Sequence, residues 1–154
     1  PQMKGWYAFD EGGKSGSGGW GHARTTWNAS VAMPHGWAIA ELHLLLRDCL
    51  AFENGGRLVL LGGIDPAWLS QSIHIEKLPT WFGPLTLRWT PATDDPRTVE
   101  LKLEGADPPE GFVLRLGTKA KAEALPGGTE LSAGPDGDVA LPRGTTRASV
   151  ILSR

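Results

Sequence analysis

A chain of 154 residues, 40% of them hydrophobic, is long enough for one domain with a core of its own, which excludes global disorder. Its 15 Lys+Arg against 17 Asp+Glu leave a net charge of −2, and the basic residues are scattered, so no nucleic acid and no anionic membrane is expected as a partner. Cys49 stands alone, which excludes an intrachain disulfide and a cysteine-rich metal site, and no apolar run approaches membrane-spanning length.

A soluble chain is expected. No signal peptide is visible, and the opening Pro1-Gln2-Met3 reads as a mature form or an excised segment, which leaves the compartment open. Residues 1–33 form a lead segment with seven glycines and three tryptophans. Within it, Gly12-Gly13-Lys14-Ser15-Gly16-Ser17-Gly18-Gly19 reads as a flexible loop. Its flanks, around Trp6 and from Trp20 to Trp27, are too aromatic for a pure linker and are expected to pack on something.

Residues 34–56 are expected to hold one long helix and its turn. Pro34 closes the preceding segment, because it biases Met33 away from helical geometry. The helix runs from about His35 to Glu53, and Asn54-Gly55-Gly56 reads as its left-handed stop. Trp37, Ile39, Leu42, Leu45, Cys49 and Phe52 are among apolar residues on most sides of it, so burial nearly all round is expected.

From residue 57 to 154 the pattern changes to short strands: 57–61, 72–78, 85–89, 98–103, 112–116, 139–141 and 148–152, with a weaker one near 120–125. Leu85, Leu87 and Trp89 share one face, as do Val99, Leu101 and Leu103. In 72–78 the alternation groups Ile73, Ile75 and Lys77 against His74, Glu76 and Leu78. Glycine and proline breakers separate the runs, and no strand–helix alternation follows Gly56. The fold class is therefore mainly β: an antiparallel two-sheet β-sandwich preceded by one long buried α-helix, in a single compact domain.

The run Met33-Pro34-His35-Gly36-Trp37-Ala38-Ile39-Ala40-Glu41, then Leu44-Leu45-Leu46-Arg47-Asp48, then Glu53-Asn54-Gly55-Gly56 and Leu58-Val59-Leu60-Leu61, resembles the C-terminal end of bacterial glycosidase-like proteins with a six-hairpin (α/α)6 barrel. In those proteins such a segment opens the last barrel helix and a β-sandwich closes the chain. The stretches Gly62 to Leu69, Thr80 to Leu85 and Pro108 to Leu116 look like that family's turns. The resemblance covers roughly residues 20–154 and is most specific over 33–69. A barrel of about a dozen helices exceeds this whole chain. The cleaving acids of such enzymes sit on earlier barrel loops, so no position here inherits them. His35 alone is implied to carry over a substrate-contacting role.

The residues themselves offer three kinds of chemistry. Asp10 and Glu11 beside Trp6 and Trp20, or Glu41 on the helix, are candidate carboxylates for glycoside hydrolysis, although adjacent acids usually point apart and solvated loop acids look the same. Seven tryptophans against one tyrosine suit sugar stacking. Trp20, Trp27, Trp68 and Trp81 are candidate platforms, with His35 as a polar contact, and the other reading of each is core or interface. The histidines show no metal-ligand spacing, and no metal or cofactor is expected. These readings lead to a non-catalytic accessory domain of a carbohydrate-active enzyme, with carbohydrate as partner and an upstream barrel or self-association covering the helix. A free-standing carbohydrate-binding module and a small glycoside hydrolase using Asp10, Glu11 or Glu41 with His35 are the other two readings.

Overall fold

The computed structural model describes residues 36–125 and 128–153, with side chains from Ile39 onward. The lead segment 1–33 and its candidates lie outside the described residues. The chain divides into two units, Pro1–Leu46 and Arg47–Arg154.

The helix α1 (Gly36–Leu50) begins in the first unit and ends in the second. Burial all round is not what the structure shows: Leu44, Leu45 and Leu46 are 55%, 60% and 52% exposed. Apolar residues on several sides of a helix allow burial but do not supply neighbours. Among the described residues α1 is the one α-helix, and the packing of its last turn on the sandwich core comes through Leu50.

The helix also stops earlier than expected. Its last two carbonyls, of Cys49 and Leu50, accept the N–H groups of Gly63 (3.0 Å) and Leu61 (2.8 Å), which satisfies acceptors that every helix end leaves open. Ala51–Asn54 is then a strand, not a further helical turn. Asn54 pairs with Arg57 across a two-residue hairpin, with Gly55 at φ 60°. A left-handed glycine serves a helix stop and a hairpin turn equally. The matching strand Arg57–Leu60 decided between them, placing Phe52 opposite Val59.

The described strands, in order, are β1 (Ala51–Asn54), β2 (Arg57–Leu60), β3 (Ile73–Leu78), β4 (Leu85–Pro91), β5 (Thr98–Glu104), β6 (Phe112–Leu114), β7 (Ala120–Leu125), β8 (Thr129–Ser132), β9 (Val139–Leu141) and β10 (Arg147–Leu152). They form a sandwich of two sheets, one ordered β1-β2-β6-β9 and the other β3-β4-β5-β10-β7-β8. Every pair is antiparallel except β2 and β6, which run parallel. The chain leaves the first sheet after β2, builds β3, β4 and β5 in the second, and returns as β6 in the same direction. Such a crossover is what parallel pairing requires.

The core lies between the sheets. Leu85, Leu87 and Trp89 from β4 meet Val99, Leu101 and Leu103 from β5, with Leu58, Leu60 and Leu114 from the facing sheet. Alternation fails in β3. A bulge between Ile75 and Leu78, with Lys77 at φ 50°, inserts one residue and reverses the parity. Leu78 therefore packs against the core with Ile73 and Ile75, and Lys77 is exposed, the opposite of the sequence grouping. The Lys77 N–H, freed from the ladder, donates to Thr86 Oγ1 (3.2 Å). The edge strand β8 was not anticipated, because Thr129, Glu130 and Ser132 are exposed and Leu131 alone marks an inner face.

Candidate functional site

Among the described residues, the turn joining β3 to β4 presents the most exposed aromatic ring. Thr80 and Gly83 close it: the Gly83 N–H donates to the Thr80 carbonyl (3.3 Å), and the Thr80 hydroxyl donates to the Gly83 carbonyl (2.5 Å). Phe82 packs against the core, and its carbonyl accepts the Asp107 N–H (3.0 Å). Trp81, its neighbour, is 83% exposed. An indole left in water costs hydrophobic free energy, yet this turn packs Phe82 partly against the core and displays Trp81.

Two charged groups hold this turn. Arg47, in the last turn of α1, donates to both carboxylate oxygens of Glu53 in β1, at 2.7 and 2.5 Å. Its Nη2 also donates to the Pro79 carbonyl (3.1 Å), and its Nη1 to Asp48 (2.9 Å). Glu53 Oε1 in turn accepts the Trp81 N–H (2.9 Å). Both residues flanking Thr80 are thus tied to one ion pair whose carboxylate is almost wholly enclosed, the Glu53 side chain being 5% exposed. The hydrogen bond from Arg47 is the main reason the Glu53 carboxyl is held below its ordinary value, against an opposing effect of burial. The same bond raises Arg47.

Trp68 is displayed differently. It sits in a 3-10 turn, Pro66–Ser70, whose start is capped by the Asp65 carboxylate accepting the Ala67 N–H (2.9 Å). Leu69 is buried beneath, and its carbonyl accepts the indole Nε1–H of Trp89 (2.9 Å). Trp68 is 55% exposed. Trp68 precedes β3 and Trp81 follows it, so roughly 20 Å of strand separates the two ends. They are independent surface features and not neighbouring plates of one platform. Trp89 is fully buried, as its alternation predicts.

An open cleft of about 880 Å³, with more apolar than polar lining, lies elsewhere on the sandwich. Three segments bound it: the link from Arg115 into β7, the β8–β9 turn around Pro135, and Ser153 after β10. Arg115 lies beyond the last β6/β9 pair and grips Asp138, with Nη2 to Oδ2 at 2.7 Å. Its guanidinium also lies 5.8 Å from the centre of the Phe52 ring. Nothing in the sequence marked this cleft, because it joins residues more than thirty positions apart.

No family model, no curated protein and no solved structure matches this chain.

Asp10, Glu11, Trp20, Trp27 and His35 lie outside the described residues, as does the side chain of Trp37. Glu41 is exposed on α1. Asp48 is paired with Arg47. Among the described residues no group of three or more His, Cys, Asp or Glu side chains is placed to hold a metal ion, and no helix is long and apolar enough to cross a membrane.

Proposed function

We propose that this chain is a non-catalytic accessory domain that binds carbohydrate, attached in nature to a carbohydrate-active enzyme. The observation that carries this reading is Trp81: an indole 83% exposed, on a turn whose two flanking backbone groups are fixed by the Arg47–Glu53 pair. An exposed aromatic face on a tethered backbone matches the apolar face of a pyranose ring, and an indole has only two rotatable bonds to fix when it stacks. The order of a helix followed by a sandwich agrees with the six-hairpin resemblance of residues 33–69, which supports the accessory role.

Titration calorimetry of the full chain against a panel of polysaccharides tests the proposal. At least one glycan is expected to bind, and Trp81→Ala is expected to weaken it about tenfold, equivalent to about 1.4 kcal/mol. No heat with any glycan, or unchanged affinity in Trp81→Ala, overturns the reading.

A further inference from the structure

The open cleft supports a more specific statement, which rests on the carbohydrate reading but uses a site remote in sequence from Trp81. Lys119 and Lys121 flank the buried Ala120 at the start of β7, so they share the outward face, about 7 Å apart along the strand. The backbone there is fixed. Lys119 O accepts the Ser153 N–H (2.8 Å), and Lys121 stands opposite both Ser132 in β8 and Ile151 in β10. Among the described residues neither ammonium has an acid partner, whereas Arg115 in the same cleft is taken by Asp138.

The opposite wall carries the other sign. The Gly137 N–H donates to the Gly134 carbonyl (3.0 Å), closing a turn with Pro135 and the exposed Asp136 at its tip. Asp138 follows, already satisfied by Arg115. Among the described residues, the β7 side of the cleft therefore offers two ammoniums without an acid partner, and the β8–β9 turn offers the exposed Asp136, whose carboxylate also feels the charge of Arg115. A bare phosphate or sulfate satisfies the lysines but is repelled by Asp136. A neutral sugar leaves the two ammoniums without a counter-charge. A sugar acid meets both walls, with its carboxylate on the lysines and its ring hydroxyls donating to Asp136. The volume of about 880 Å³ lies within the range of small-ligand sites.

We propose that this cleft binds a uronic acid residue of an acidic glycan, through Lys119 and Lys121 with Asp136 orienting the ring. Both lysines are exposed, so Lys119→Gln/Lys121→Gln is expected to keep the wild-type circular dichroism and unfolding midpoint.

The test is calorimetry and amide NMR of the full chain with a galacturonate tetramer, its methyl-esterified counterpart and inorganic phosphate. The free-acid tetramer is expected to bind, to shift the amides of 117–121 and 132–138, and to weaken as salt is raised. The double variant and the methyl ester are each expected to bind at least tenfold more weakly, and Asp136→Ala several-fold. Wild-type affinity in the double variant, or no binding of the free acid, overturns the proposal. Phosphate that moves the same amides and displaces the tetramer at equal concentration also overturns it, reducing the cleft to a simple anion site. Trp81→Ala separates the two readings. Neutral glycans binding through Trp81 while the free acid fails leaves the accessory reading standing alone. Acid binding at the cleft, untouched by Trp81→Ala in a chain that binds no neutral glycan, removes Trp81 and keeps the cleft.

Discussion

Glu53 accepts a hydrogen bond on each carboxylate oxygen from Arg47, at 2.5 and 2.7 Å, across the corner where α1 gives way to β1. Six residues separate them, and the pair exists only because the helix stops at Leu50 and the chain reverses into the β1–β2 hairpin. The fork of Arg47 suits a planar carboxylate, and a lysine offers no such match. Through the Trp81 N–H and the Pro79 carbonyl, the pair connects the helix end to the displayed indole.

Glu53→Gln removes the enclosed carboxylate that Arg47 faces and leaves the guanidinium with only the exposed Asp48 as a charged partner. A loss of about 2–3 kcal/mol is expected, read from urea unfolding. Arg47→Met/Glu53→Leu removes both charges and is expected to cost less than Glu53→Gln alone. A double variant less stable than the single one would show that the pair contributes more than the burial of its own charges.

The pair also fixes a pH dependence. The Glu53 carboxyl is held below its ordinary value, chiefly by the Arg47 hydrogen bond, so the folded state binds its proton less readily than the unfolded state does. Its contribution is complete above the unfolded value of about 4.3 and is lost as pH falls through the lower folded one. The stability gap between wild type and Glu53→Gln is therefore expected to be widest near neutrality and to shrink below about pH 4. Urea midpoints at neutral and acid pH measure it.

Trp89 fills the centre of the core, and its Nε1–H is the partner of the Leu69 carbonyl. Trp89→Phe keeps most of the ring but strands that carbonyl, for an expected loss of about 1–3 kcal/mol. Trp89→Ala adds a cavity and is expected to cost about 3–5 kcal/mol. Equal midpoints for Trp89→Phe and wild type would mean that water reaches Leu69.

Two glycines of similar backbone make a controlled comparison. Gly111 has φ 81°, and a Cβ there would lie 2.2 Å from the Leu141 carbonyl oxygen and 2.8 Å from the Arg143 nitrogen. Gly144 has φ 77° with open space around it. Gly144→Ala is expected to cost about 1 kcal/mol, for the left-handed backbone alone. Gly111→Ala must also push β6 from β9, and a loss of about 2 kcal/mol or more is expected in thermal unfolding. Equal losses would show that the β6–β9 corner yields freely.

Much of the sandwich is legible in the sequence because side-chain parity in a strand is a local property. Leu85-Leu87-Trp89 and Val99-Leu101-Leu103 alternate, and each set does face the core. Breakers such as Gly83-Pro84 and Pro108-Pro109 divide strands whose lengths need no knowledge of their partners. Other features depend on what lies opposite. The glycines after Asn54 read as a helix stop until β2 supplies a mate for β1. Leu78 faces inward because a bulge against β4 shifts the count by one residue. The parallel β2/β6 pair depends on the path of β3, β4 and β5. Trp81 and Trp89 are the same residue type eight positions apart, one displayed and one enclosed. The sequence by itself determined that there would be a helix and then a two-sheet β fold with an aliphatic core, since period and turn chemistry act within a few residues. Where the helix stops, which indole meets water and which charges meet across the chain were decided by tertiary structure alone, because each depends on partners that only the folded chain brings within reach.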